Sequence, residues 1–159
     1  MAFSRFTAPA RNSRVKGDTL RLSVLYVEDE DINWEIAQHE LAGEFNLSRA
    51  IDAREAFRLI AQHPYDVILL DIQLCGSDID GIQIARLLKG RCLDAPPAYA
   101  TGVHAMSTPL IFVTGYTARY SREDLLRAGG EDVIAKPVDF ARLSHLMTRI
   151  VERGVAARH

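Results

Sequence analysis

The chain has 159 residues, 48% of them hydrophobic and 25% charged, with a formal net charge of −2. A chain of that length buries about two-thirds of its unfolded surface, so one compact domain is expected, and the near-neutral charge supplies no large basic field for holding nucleic acid. No apolar run approaches the roughly 18 residues that span a bilayer, and the opening MAFSRFTAPARNSRVKG lacks the apolar centre of a secretory signal, so a cytoplasmic protein engaging neither membrane nor nucleic acid is expected.

In chain order, residues 1–19 are rich in Ser, Ala, Arg and Lys with no acid before Asp18, and read as a mobile arm. From Leu20 onward short apolar runs alternate with helical patterns, which argues for a parallel sheet. The apolar runs are LSVLYV (22–27), the weaker FNLSRAI (45–51), DVILL (66–70), PLIFVT (109–114) and DVIA (132–135). Between them, Ile32, Ile36, Ala37 and Leu41 outline a first helix, and Ala53, Ala56, Phe57, Ile60 and Ala61 form a stripe at helical spacing. Ile84, Leu87 and Leu88 mark a third helix. Ser121 to Asp124 has the spacing of a capping box for a fourth, and Asp139 is an N-cap for a last helix carrying Phe140, Leu143, Met147 and Ile150. All these stripes are read as core. The architecture expected is α/β: a doubly wound, five-stranded parallel sheet with helices on both faces, spanning residues 20–153 and followed by a tail at 154–159.

Residues 90–108, GRCLDAPPAYATGVHAMST before the fourth strand, form an insertion in which Pro96-Pro97 and two glycines exclude a simple helix. Its Tyr99, His104 and Met106 read either as a partner epitope or as part of a disordered loop. Cys75 and Cys92 make no Cys-x-x-Cys pair and read as reduced thiols. His39, His63, His104, His145 and His159 lack metal-ligand spacing. Trp34 reads as packing or surface, and offers a fluorescence probe near Asp29.

Open α/β sheets place their chemistry beyond the carboxyl ends of the strands. There the first strand runs into Glu28-Asp29-Glu30-Asp31, the third into Asp71, the fourth into Thr114-Gly115 and the fifth into Lys136-Pro137. Singly these have ordinary explanations in the helix dipole, strand propensity and solvation; together they place acids, a hydroxyl and an amine on one rim. Three carboxylates some 5 Å apart repel by roughly 3 kcal/mol per pair at an effective dielectric near 20, so protons or a cation must be close. Lys136 offsets one charge, and the remainder suits a hard, oxygen-loving divalent ion such as Mg²⁺.

VLYVEDEDIN, VILLDIQ, FVTGY and IAKP, in that order and at that spacing, resemble the receiver domain of two-component response regulators over Leu22 to about Val151. The resemblance implies a flavodoxin-like sheet of strand order 2-1-3-4-5, and a protein that accepts a phosphoryl group from a sensor histidine kinase or a histidine phosphotransfer protein without being an enzyme toward other substrates. It implies that Asp71 is the phospho-acceptor, that Thr114 and Lys136 bind phosphoryl oxygens, and that Mg²⁺ is held by Glu28, Asp29, Asp71 and the backbone carbonyl of Gln73. It also implies a cis peptide at Lys136-Pro137.

The chain departs from the family pattern at Val133, where an aromatic is usual, so the expected switch rests on Thr114, Gly115 and Tyr116. IFVTGYT is similar to the Phe-Ala-Thr-Gly-Tyr class of stand-alone receivers. Asp78 and Asp80 either add charge to the metal site or lie in a solvated loop. The expected output is contact with a protein partner that the sequence does not identify, or drainage of phosphoryl groups from a kinase, by a monomer or weak dimer. A phosphorylation-independent receiver-like binding module is the alternative. An aspartate-nucleophile phosphatase is disfavoured, because Gln73 stands where such enzymes place a second acid.

Overall fold

The computed structural model describes residues 20–115 and 119–158. Five strands and five helices follow one another as β1 (Leu22–Val27), α1 (Asp31–Leu41), β2 (Phe45–Ala50), α2 (Ala53–Gln62), β3 (Val67–Leu70), α3 (Gly81–Leu88), β4 (Leu110–Thr114), α4 (Arg122–Arg127), β5 (Gly130–Ala135) and α5 (Phe140–Ala156). All strands are parallel, in the order β2-β1-β3-β4-β5. The flavodoxin-like topology is therefore the one expected. Among the described residues no helix is long and apolar enough to cross a membrane.

Two cores sandwich the sheet. Leu25, Val27, Ile68, Leu70, Leu110 and Phe112 point toward α2, α3 and α4, where they meet Phe57, Ile84, Leu88 and Leu125. Their alternates Val24, Tyr26, Val67, Leu69, Ile111 and Val113 face Leu41 of α1 and Leu143 and Met147 of α5. The period-2 alternation of buried strands thus feeds both layers. Helix starts are fixed by side chains: Asp52, Asp80, Ser121 and Asp139 each accept a hydrogen bond from the backbone three residues on. The expected caps at Ser121 and Asp139 are present.

Two apolar stripes differ from expectation: Ala61, at the end of the α2 stripe, is exposed, and α1 departs further. Ala37 and Leu41 are buried, but Ile32 is 64% and Ile36 47% exposed, while Trp34 packs against the α1/α5 core. At 3.6 residues per turn Ile32 and Ile36 project opposite to Trp34, Ala37 and Leu41. Helix α1 carries two apolar stripes, and only one can face the sheet. At the carboxyl end α5 continues to Ala156, so the first residues of the stretch read as a tail are its last turn; Glu152 to Ala156 contains no proline to stop it. Strand β5 starts at Gly130, earlier than the apolar run suggests, and pairs with Leu110. A Cβ at Gly130 would stand 2.7 Å from the Phe112 ring, so a side chain there would push β5 off the core.

The segment between α3 and β4 is pinned at its roots. Lys89, the C-cap of α3, donates through Nζ to the carbonyls of Ala105 (3.0 Å), Met106 (3.2 Å) and Thr108 (2.6 Å). Tyr99 turns inward: its ring lies 5.7 Å from that of Phe57, the Arg54 guanidinium sits 4.9 Å above it, and its hydroxyl donates to Asp78 at 2.6 Å. His104 and Met106 stay at the surface. Replacing Lys89 with Met should lower the unfolding free energy by about 1–3 kcal/mol, because three carbonyls lose a charged donor. Urea denaturation measures it; an unchanged midpoint and slope would show that water replaces the ammonium at no cost.

Candidate functional site

Backbone hydrogen bonds bring the four strand ends level. Glu28 N–H extends the β1/β2 ladder to Ala50 (2.9 Å), Asp71 N–H reaches Val27 (3.1 Å), and Lys136 N–H reaches Thr114 (2.8 Å). The Lys136-Pro137 peptide is cis, as expected. The loop after β3 doubles back so that Gly81 N–H donates to Ile72 at 2.9 Å. A Cβ on Gly81 would sit 2.0 Å from the Asp71 carbonyl oxygen, so only glycine lets α3 start this close to the site.

Glu28, Asp29 and Asp71 come together there, each offering an oxygen within 4.8 Å of the others. Lys136 Nζ lies 2.8 Å from both Glu28 Oε2 and Asp71 Oδ2. Three carboxylates and one ammonium leave a formal charge of −2, and an all-oxygen donor set of that charge fits a hard divalent cation such as Mg²⁺. The other expected residues fall nearby. Thr114 is buried at the end of β4 and Gly115 is exposed beside it. Gln73 is exposed, and its N–H donates to Asp71 Oδ1 at 3.3 Å. Tyr116 lies outside the described residues. Val133 packs against the core beneath α2, α3 and α4. Gly115 does not adopt a positive φ, and a Cβ there would make ordinary contact with the Lys136 stem at 3.7 Å; alanine fits this conformation. Asp78 and Asp80 do not join the acidic group: one accepts from Tyr99, the other caps α3. A cleft of about 340 Å³ lined by Gln73, Leu74, Cys75, Thr114 and Arg119 opens beside the acids.

Several positioning residues escaped the sequence reading. Glu28, fully buried, accepts from Glu30 N–H (3.0 Å) and Asn33 Nδ2 (3.3 Å) on one oxygen, and from the Tyr26 hydroxyl (3.2 Å) and Lys136 (2.8 Å) on the other. About four lone-pair sites are all a carboxylate has, so Glu28 is saturated. Asp29 Oδ2 accepts from Cys75 N–H at 2.9 Å, which ties the loop after β3 to the turn after β1. Arg49 of β2 reaches that same turn with three hydrogen bonds. Tyr26 and Arg49 are register partners on the side of the sheet where Phe45 and Leu47 pack, a polar group on an otherwise apolar face, which is the only trace they leave in the pattern.

Charge is divided unequally. Burial pushes the Asp71 carboxyl up to about 6, against the hydrogen bond and charge of Lys136. Burial acts to raise Glu28 too, but its hydrogen bonds to Lys136, the Glu30 backbone and Asn33 hold it below the usual carboxylate range. Burial likewise acts to lower Lys136, but its bonds to Asp71 and Glu28 hold it above the ordinary lysine value. Burial, together with the charges of Glu28 and Asp71, keeps the Tyr26 hydroxyl protonated and a donor.

This fold and this acidic rim define a receiver. The family model of the response regulator receiver domain matches residues 24–148, and the chain belongs to that family. Receiver domains are phosphoacceptors of two-component systems that interact with histidine kinases. Among curated proteins it is similar to a putative NtrX-like response regulator of Rickettsia conorii, at 29% identity over 83% of this chain and 25% of the relative. It is also similar to the signal transduction histidine-protein kinase BarA of Escherichia coli, at 31% identity over 82% of this chain and 13% of the kinase. The chain thus spans a quarter or less of these two relatives. Among solved structures, NtrX of Brucella abortus in complex with ADP superposes with a TM-score of 0.73 at 23% identity, covering 87% of this chain and 29% of that one. The receiver domain of a Pseudomonas aeruginosa sensor histidine kinase, which has a magnesium ion coordinated in its active-site cleft, gives a TM-score of 0.67 at 25% identity over 83% and 98% of the two chains.

The Asp71 carboxyl titrates higher in the fold, about 6, than its unfolded value of 3.8. The folded state therefore binds that proton more tightly, and stability falls as pH rises from about 4 to about 6. Asp71→Asn should accordingly be more stable than the wild type in Mg²⁺-free buffer at neutral pH, by roughly 1–3 kcal/mol, since it removes a charge whose carboxyl is pushed up to about 6. The gain should vanish near pH 4. Urea midpoints across that range that coincide for both proteins would contradict the buried-charge reading.

Proposed function

We propose that the chain accepts a phosphoryl group on Asp71 from a phosphohistidine, with Mg²⁺ held at Asp29, Asp71 and the Gln73 carbonyl, and that it signals by contact with a protein partner or acts as a phosphate sink. The observation that carries this reading is the convergence of Asp71, Asp29 and Lys136 on the carboxyl rim of a receiver sheet. The magnesium in the cleft of the Pseudomonas aeruginosa receiver supports the choice of ion.

In the transfer, an Asp71 carboxylate oxygen forms a bond to phosphorus as the phosphorus–nitrogen bond to the donor imidazole breaks, and the imidazole leaves after taking up a proton. Such a loose, in-line step needs positioning and charge neutralisation more than covalent help. Bound Mg²⁺ supplies part of that neutralisation on the phosphoryl oxygens. Lys136 trades its bond to Asp71 for one to a phosphoryl oxygen while keeping Glu28, and the Thr114 hydroxyl takes another oxygen. Glu28, its lone-pair sites taken by four donors, would contribute negative charge beside the ion and hold Lys136 in place. The donor is a sensor histidine kinase or a histidine phosphotransfer protein in the cytoplasm. The likeness of IFVTGYT to stand-alone receivers supports output by docking, as a monomer or weak dimer.

Incubation with Mg²⁺ and acetyl phosphate should add one phosphate, mapped to Asp71 by mass spectrometry. Asp71→Ala should remain folded and unlabelled; label on that variant would sink the assignment. The switch follows from the same chemistry. Phosphorylation turns the single charge of the Asp71 carboxylate into an acyl phosphate of charge near −2, and the phosphoryl oxygens draw on Thr114 and the Gly115 backbone, since Val133 is too small to fill vacated space. NMR exchange broadening should centre on residues 114–121 and diminish with Mg²⁺ and beryllofluoride, which stands in for the acyl phosphate. A response confined to the surroundings of Val133 would refute this account of the switch.

A further inference from the structure

The turn that carries Glu28 and Asp29 is held from outside by one side chain. Arg49, near the end of β2, is the register partner of Tyr26. Its side chain is only 17% exposed. The guanidinium spends its donors on that turn: Nε on the Glu28 carbonyl at 2.9 Å, one terminal nitrogen on the Asp29 carbonyl at 3.0 Å, the other on the Asp31 carboxylate at 2.7 Å. Two of these three acceptors are backbone carbonyls of the very residues whose carboxylates face Asp71.

We infer that Arg49 is a positioning residue that sets the metal-binding orientation of Asp29, acting through the backbone of the turn. The inference rests on the reading of Glu28, Asp29 and Asp71 as a Mg²⁺ site. A planar fork with donors in fixed directions can fix both carbonyls at once, whereas an ammonium on a flexible stem offers a point charge without that geometry. By holding the Glu28 and Asp29 carbonyls against β2, Arg49 sends the Asp29 side chain the other way, toward Asp71 and the Cys75 N–H. The Glu28 carboxylate is anchored separately by Tyr26, Asn33 and Lys136, so Arg49 governs Asp29 more than Glu28.

Charge and position predict opposite signs, and this makes the inference testable. A cation beside a cation site repels the ion, so loss of Arg49 should tighten Mg²⁺ binding if only its charge matters. If it positions Asp29, loss should weaken binding, and partners that orient a metal ligand typically contribute tenfold or more in affinity. The experiment is a Mg²⁺ titration followed by Trp34 fluorescence, with folding of each variant in EDTA checked by circular dichroism. Arg49→Lys keeps the charge and loses the fork, Arg49→Gln keeps a neutral planar donor, and Asp31→Asn removes the exposed ion pair while leaving both carbonyl contacts.

The expected result is a Mg²⁺ dissociation constant about tenfold higher for folded Arg49→Lys, a smaller rise for Arg49→Gln, and less than a twofold change for Asp31→Asn. A purely structural role would lower thermal stability and leave the dissociation constant of the folded fraction alone. Wild type that binds Mg²⁺ alongside Arg49→Lys and Arg49→Gln that bind it as tightly, or tighter, would overturn the inference about Arg49 and leave the metal reading standing. Wild type that binds no Mg²⁺ would overturn the metal reading itself, and Arg49 with it.

Discussion

A single ammonium, that of Lys136, stands 2.8 Å from two carboxylates in a rim that holds three. Acids whose oxygens lie within 4.8 Å of one another repel by roughly 3 kcal/mol per pair at an effective dielectric near 20, a large share of the 5–15 kcal/mol that stabilises a typical domain. Much of the surrounding architecture limits this cost. The parallel sheet aligns the strand ends, and the Asn33 amide, the Tyr26 hydroxyl and three backbone N–H groups supply the donors that burial would otherwise deny the acids. No buried side-chain nitrogen or oxygen among the described residues is left without a partner, so the rim is strained in charge but complete in hydrogen bonding.

The two acids that share Lys136 are not equivalent, and their environments explain why. Glu28 is the more deeply buried, yet its four donors keep it ionised; Asp71 has fewer donors and is pushed toward protonation near pH 6. Pairs of titratable groups whose surroundings drive them apart commonly divide roles. Here the permanently charged partner holds the lysine, and the carboxylate with the weaker hold on its charge is the one left to react in the proposed transfer. Of the two acids that share Lys136, a proton therefore goes to Asp71 before Glu28.

How much of this could be read from the sequence depended on the kind of signal. A charge that ends an apolar strand is conspicuous, which is why Asp71 and Lys136 stand out in the sequence. The central strands β1, β3 and β4 announced their limits because they are buried and their apolar runs are continuous, whereas the edge strands β2 and β5 carry polar residues among the apolar ones. Arg49 and Tyr26 were hidden for the opposite reason: each occupies a core-facing register position in its strand, where a polar residue looks like noise until its partners on another element are seen. The Cys75 N–H that binds Asp29 is a backbone group, and side-chain patterns say nothing about it. Helix α1 misled because Ile32 and Ile36 repeat at helical spacing just as the buried stripe does.

The Lys89 clamp has a consequence for how this fold tolerates change. By gathering the carbonyls of Ala105, Met106 and Thr108 at the end of α3, it brings the exit of the excursion back to its entry, so the path between them is a loop closed on its own stem. Closing a loop costs little more as it lengthens, about 0.6 kcal/mol per doubling, and β4 takes its register from β3 and β5. Extra segments of quite different length and chemistry could therefore be inserted at the exposed tip, Asp94 to Pro96, leaving Tyr99 on Asp78 and the acidic rim in place. The receiver carries, at the end of α3, a site where new recognition surfaces can be acquired without rebuilding the acidic rim.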